Sequence, residues 1–330
     1  MSNGKTFLFR TVVVPDPFPR RFSYDTPALF LGSCFTASIG QWLERLKFPV
    51  EVNPSGVLYN PFSVLQTLAR LLESRPYGPE DLIREGGKWL SLMHDTSFSG
   101  SDRDKVLQMI NESFRKAAEQ LQKLDFLFLT FGTARVYLRA EDGSVVANCH
   151  KLPAERFRRK LLSPGEIMEA WRELLSRLFR LRPQLQVFFT VSPIRHWKDG
   201  AVGNQLSKSV LHVAIHQLEE EDERVHYFPA YEIVMDELRD YRFYAADMLH
   251  LSETAIKYLR ERFRETAIDP FGWKVMQEVE KLRKALEHLP RHPDSPEHKA
   301  FRETQRKKIQ RLEEKYPFLD LAEERKFFEK

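Results

Sequence analysis

The chain has 330 residues, 42% of them apolar, and its 51 Lys and Arg stand against 47 Asp and Glu for a formal net charge of +4. That size suits one large domain or a domain with an appendage, and the apolar share is ample for a buried core. The charges are interleaved rather than blocked, which argues against nucleic acid as a partner, and two cysteines, Cys34 and Cys149, do not make a disulfide framework.

Met1 to Arg10 lacks the basic stretch and apolar core of a signal peptide, and no run approaches the roughly 18 apolar residues of a membrane span. A cytoplasmic address is expected, with no membrane association and with Cys34 kept as a thiol. After a lead-in over residues 1–25, the main domain is expected over residues 26–268. Its first strand is Ala28–Leu31, followed by Gly32-Ser33-Cys34-Phe35 and a helix over Thr36–Leu46 that places Ile39, Leu43 and Leu46 on one face. Val50–Val52 is the second strand, and Pro61–Leu72 the next helix, with Phe62, Leu65, Leu68, Ala69 and Leu72 together. Longer helices are expected over Asp104–Leu121, Pro164–Leu181 and Asn204–Glu220. Strands over Phe126–Phe131, Gln186–Val191 and Val225–Phe228 alternate with them. The strands lack polar alternation, as strands covered on both faces do. Val136–Leu138 and Ser144–Ala147 read as a hairpin turning at Asp142-Gly143.

This alternation implies an α/β fold with a five-stranded parallel sheet and right-handed crossovers. Ligands bind outside the carboxyl ends of such strands, where Gly32, Gly132 and Ser192 fall. Beyond Asp269-Pro270 the character changes to a charged helical hairpin over residues 269–330. It consists of a helix over Trp273–Leu289, a turn at Pro290, Pro293 and Pro296, and a helix over Glu297–Tyr316. Residues 271–330 are a candidate surface for a protein partner or self-association.

Ser33 and Cys34 are two candidate nucleophiles at a helix start, where backbone N–H groups stabilise an oxyanion and the helix dipole favours a thiolate. Asp247-x-x-His250 supplies a candidate general base and its orienting carboxylate. Ser252 and Glu253 mark the next helix, so His250 belongs on the loop before it. Each piece also has an ordinary structural reading: Ser33 or Thr36 as a helix cap, Asp247 and His250 as a local ion pair. Arg195, His196, His94 and Tyr59 are candidates for holding substrate, Arg195 through its planar fork. The ten histidines are scattered and lack a zinc signature; neither a metal nor another cofactor is expected.

Gly32-Ser33-Cys34-Phe35 resembles the motif of the GSCFA family, with Thr36 where the family name has Ala. Similar segments are Asn53–Phe62, Leu129–Val136, Asn148–Lys151, Thr190–Gly200 with Asn204–Lys208, and Tyr231–His250, and the tail is also similar. The resemblance implies an SGNH-hydrolase-like three-layer α/β/α fold, flavodoxin-like in its sheet, and acyl hydrolase or acyltransferase chemistry on an ester or thioester, with an acylated carbohydrate as a possible substrate. Laid without gaps on the superfamily's Gly-Asp-Ser block, Cys34 falls at the nucleophile position; a shift of one residue selects Ser33. Asp247 and His250 match the closing Asp-x-x-His block. Gly56 and Gly132 match the oxyanion blocks less closely, and Ala134 stands where the superfamily has Asn. Asn60 or Asn148 would then supply the missing donor. A module that keeps the cleft without catalysis, binding a sugar or anionic ligand, is the competing expectation.

Overall fold

The computed structural model describes residues 10–287, 292 and 295–329. Ten strands and ten helices follow in chain order: β1 Ala28–Gly32, α1 Cys34–Arg45, β2 Val50–Val52, α2 Pro61–Leu72, β3 Ile83–Glu85, β4 Lys88–Leu90, α3 Arg103–Leu121, β5 Phe126–Phe131, β6 Arg135–Arg139, β7 Val145–Val146, β8 Phe157–Leu161, α4 Pro164–Leu181, β9 Gln186–Val191, α5 Gly200–Glu221, β10 Val225–Tyr227, α6 Ala230–Glu232, α7 Glu253–Ala267, α8 Pro270–Leu286, α9 Pro296–Lys315 and α10 Ala322–Glu329. Five strands form a parallel sheet in the order β10-β9-β5-β1-β2.

Three layers follow from the two-residue period of a strand. Leu29 and Leu31 of β1, Leu127, Leu129 and Phe131 of β5, and Val187, Phe189 and Val191 of β9 share one buried cluster with α2, α3, α4 and α5. The alternate residues, Ala28, Phe30, Phe126, Phe128 and Phe188, belong to a second cluster with α1, α7 and the C-terminal helices. Burial on both faces explains the unbroken apolar runs. The strand order reverses between β1 and β5, and in open α/β sheets ligands bind outside the carboxyl ends of the strands at such a switch point.

Several elements differ from the expectation. The first helix starts at Cys34 rather than Thr36, because Ser33 takes the cap position. Helix α5 starts at Gly200 rather than Asn204, and α8 at Pro270 rather than Trp273, with Asp269 accepting from Gly272 N. The expected hairpin is part of a three-stranded antiparallel sheet, β7-β6-β8. The added strand β8, Phe-Arg-Arg-Lys-Leu, escapes an apolar-run search because its middle is charged and exposed. A second hairpin, β3-β4, turns at Gly86-Gly87, both at positive φ.

Among its described residues the C-terminal region has three helices where two were expected. Leu289, Pro290 and Pro293 lie outside the described residues. Val275, Met276 and Val279 of α8, Ile309 and Leu312 of α9, and Phe328 of α10 share the second cluster with Phe22, Ile39 and Leu43. Glu324 of α10, fully buried, pairs with Lys47 just after α1 and with Arg283 of α8, each at 3.1 Å. Among the described residues no helix is long and apolar enough to cross a membrane.

Candidate active site

The turn after β1 is set by Gly32. Its φ is +135°, and a Cβ there would lie 2.2 Å from the Thr130 carbonyl oxygen of β5. Only glycine lets the two strand ends approach so closely. Ser33 N donates to that same carbonyl at 3.2 Å, and Thr36 Oγ1 hydrogen-bonds Thr130 Oγ1, stitching the first turn of α1 onto β5.

This geometry separates the two candidate nucleophiles. Ser33 is 2% exposed, and its Oγ accepts from Phe35 N as the cap of α1. Cys34, the first residue of the helix, is partly exposed and free of disulfide. Its Sγ lies 3.7 Å from Tyr59 Oη. As the opening residue of the helix, its N–H has no acceptor within the helix.

Tyr59 is held from beneath. Gly132 N and Thr133 N both donate to its carbonyl oxygen, at 2.7 and 3.0 Å, and Leu58 N donates to Gly32 O at 3.0 Å. A Cβ on Gly132 would approach His196 Nε2 to 3.1 Å and the Tyr59 ring to 3.3 Å, so this glycine leaves room for both rings. The rings meet edge to face at 5.3 Å. Burial and the neighbouring Cys34 push the Tyr59 phenol well above its ordinary pKa, which keeps it a neutral donor.

The same bonds engage the expected oxyanion donors. Gly132 N is spent on Tyr59 O, and Gly56 N donates to Asn53 O at 2.8 Å. Asn60 is buried as the cap of α2, its Oδ1 accepting from Ser63 N and its Nδ2 donating to Ser63 Oγ. Asn148 Oδ1 accepts from His150 N, and Asn148 lines a cleft. Ala134 is fully buried, and its N–H donates to Ser207 Oγ.

That cleft, about 550 Å³, opens between the end of β5 and the β6-β7-β8 sheet. Tyr59, Asn60, Thr133, Asn148, Cys149 and His196 line it, together with Arg135, Lys151, Arg159, Lys198 and Asp199. Tyr59 therefore lines the cleft and faces Cys34 with its hydroxyl. Burial and the charge of Lys208 lower the His196 pKa to about 4, so its imidazole is neutral at pH 7.

Asp247 and His250 occupy an exposed loop before α7. Asp247 Oδ2 lies 2.6 Å from His250 Nδ1, and Oδ1 accepts from Leu249 N and His250 N. These bonds lower the Asp247 pKa to about 2. A proton on Nδ1 directed at the carboxylate leaves Nε2 as the basic nitrogen. Among the described residues, Cys34 and His250 make no hydrogen bond with each other.

Arg195 is not part of the cleft lining. Its guanidinium contacts Met235 Sδ at 3.4 Å, and its charge is felt by Tyr231, Tyr244 and Lys208. His94 is a core histidine. It is fully buried, with Nδ1 3.0 Å from Ser91 Oγ and its ring edge to face with Tyr77. Burial and the Arg70 charge lower its pKa to about 3.

A buried polar stripe on α5 was not anticipated. Asn204 Oδ1 accepts from His196 N, and Ser207 Oγ bonds both Thr133 Oγ1 and Ala134 N. Lys208, fully buried, donates to the Ser192 carbonyl at 2.5 Å. These residues shape the ends of β5 and β9 from below. Their signal in the sequence is spacing: Asn204, Ser207 and Lys208 continue the face of Leu211, Ala214 and Ile215, so the inward stripe turns polar where the strands end.

A five-stranded parallel sheet with its crevice at the β1/β5 reversal, and a thiol at the first helix start, define an α/β protein of the doubly wound class. Within that class, the model of the GSCFA family matches residues 27–263, and that of the GSCFA domain protein, C-terminal domain, matches residues 279–330. The chain belongs to the GSCFA family. A comparison with curated proteins finds no match.

Proposed function

We propose that the chain is an SGNH-like acyl hydrolase or acyltransferase in which Cys34 is the nucleophile. The carrying observation is the division of labour in the turn: Ser33 is buried as the cap of α1, while the Cys34 thiol is accessible at the helix start beside Tyr59. In this reading Cys34 Sγ attacks the acyl carbon of an ester or thioester, and the thiol proton passes to His250 Nε2. The leaving oxygen or sulfur takes that proton as its bond to the acyl carbon breaks. Water or an acceptor hydroxyl then attacks the thioester, and its proton passes through His250 to Cys34. Asp247 orients His250 throughout and stabilises its cation. The Cys34 N–H and the Tyr59 hydroxyl are the donors left for the oxyanion, in place of Gly56, Gly132 and Asn60, whose groups are engaged. Catalysis requires His250 to come within reach of Cys34, as catalytic contacts that are long in the free enzyme tighten when substrate binds.

A second reading, a ligand-binding module without turnover, is favoured by the engaged oxyanion donors and by the lack of a Cys34–His250 hydrogen bond. Turnover of p-nitrophenyl acetate separates the two. The enzyme reading expects turnover that Cys34→Ala and His250→Ala abolish and Ser33→Ala retains. Turnover at the buffer rate by all four proteins supports the binding module.

A further inference from the structure

We propose that the cleft beside Tyr59 is a binding site for a phosphate-bearing small molecule of sugar-phosphate size. As the site of a substrate's leaving group or acceptor, it rests on the acyl-transfer reading; as a binding site, it does not.

The charge in the cleft is unbalanced. Arg135, Lys151, Arg159 and Lys198 line it, and Asp199 is the one carboxylate among the residues that do. Asp199 Oδ2 is shared, lying 3.1 Å from Arg135 Nε and 2.8 Å from an Arg159 terminal nitrogen. One carboxylate holds two guanidiniums in place and cancels one of their charges. Among the described residues, Lys151 and Lys198 have no carboxylate partner. Lys198 Nζ donates to Tyr137 Oη at 2.6 Å and lies 5.0 Å from the centre of that ring, while the Arg159 guanidinium lies 5.4 Å from it.

Two of these cations are set on paired strands, while Lys151 and Lys198 lie on the turns beside them. Arg135 belongs to β6 and Arg159 to β8, and Tyr137 pairs directly with Arg159 across that sheet. Two guanidiniums and two ammoniums lining one concavity match the several equivalent oxygens of a phosphate. The rest of the lining is uncharged and mixed, with the neutral His196 imidazole, Thr133, Asn148 and Tyr59 beside the apolar Ala147, Leu152, Ala154 and Phe157. That surface suits the hydroxyls and faces of a sugar. Tyr59 joins the two regions, because it lines the cleft and its hydroxyl faces Cys34. A ligand with its phosphate among the cations thus lies against Tyr59, the residue that borders the thiol.

The test is calorimetric titration of the full chain, and of Cys34→Ala, with glucose 6-phosphate, inorganic phosphate and glucose. Glucose 6-phosphate is expected to bind both proteins with the same Kd, at least ~10-fold more tightly than glucose, and inorganic phosphate more weakly but measurably. The double variant Lys151→Gln/Lys198→Gln, with its fold checked by circular dichroism, is expected to raise that Kd at least ~10-fold and to flatten its salt dependence. The proposal is overturned if glucose 6-phosphate does not bind at about millimolar concentration, if glucose binds equally well, or if the double variant binds with unchanged Kd. Anion binding without ester turnover supports the site and removes the acyl-transfer reading alone. Ester turnover without anion binding removes the site alone.

Discussion

The Cys34 thiol and the Tyr59 hydroxyl lie 3.7 Å apart, while the carbonyl of the same tyrosine is clasped by the N–H groups of Gly132 and Thr133. Tyr59 is thus tied to the end of β5 through its backbone and faces the thiol at the start of α1 through its side chain. Tyr59→Phe removes the hydroxyl and leaves the clasp. The variant is expected to melt with the wild type and to lose about 10²–10³-fold in ester turnover, the usual cost of one oxyanion donor. Undiminished turnover would exclude the hydroxyl from that role.

Ser33 and Cys34 are adjacent, yet their substitution should register in different assays. Ser33→Ala deletes the cap of α1 and should cost about 1 kcal/mol in urea denaturation. Its Cys34 should still be alkylated by iodoacetamide at close to the wild-type rate. Loss of labelling in a folded Ser33→Ala protein would show that the serine shapes the thiol's reactivity directly.

Lys208 makes stability depend on pH. Burial, and secondarily the Arg195 charge, lower its pKa to about 7 from the ordinary 10.5. Between these values the unfolded chain binds more protons than the folded one, so the Lys208 contribution makes stability rise with pH across that window. Below pH 7 its desolvation cost is fully present. His196 and His212, also near Lys208, have pKa values lowered to about 4, chiefly by burial, and stay neutral over the window. The stability of Lys208→Met relative to wild type should therefore be highest near pH 6 and decline toward pH 9 in urea melts. A difference independent of pH would rule out this titration.

Glu324 ties the C-terminal helices to the main sheet. Its buried carboxylate meets Lys47 and Arg283, and Glu324→Ala would leave both cations without it. Breaking a fully buried pair on one side costs about 3–5 kcal/mol, and because Lys47 and Arg283 keep some access to solvent the loss here falls toward the lower end of that range. A cooperative loss of that size, by thermal and urea denaturation, is expected to report the unfolding of α10 together with the core it covers. A change within about 0.5 kcal/mol, as at an ordinary surface site, would show that the tail is energetically separate.

Much of the fold was legible because strands buried on both faces need unbroken apolar runs. Ala28–Leu31, Val50–Val52, Phe126–Phe131, Gln186–Val191 and the start of Val225–Phe228 are the five strands of the sheet. The misses share a cause. Strand β8 is held by backbone pairing with β6 and keeps its charged side chains outward, so no apolar signal marks it. The third C-terminal helix, α10, is short, and its buried Glu324 reads as a surface charge until its cationic partners from two other segments are known.

The alternating layers, the glycine turn after the first strand, the Asp247–His250 contact and the family can all be read from the order of the residues alone. These follow from local rules: side-chain period, conformational freedom and hydrogen bonds across three residues. Only the tertiary structure decided that Ser33 is consumed as a cap while Cys34 faces Tyr59, that Gly132 serves a tyrosine carbonyl, that His94 is core, and that Lys208 lies buried beneath the strand ends. Each depends on which groups from distant segments meet and satisfy one another. A buried donor or acceptor takes whatever partner the packing brings to it, and that partner is not encoded in the spacing of its neighbours.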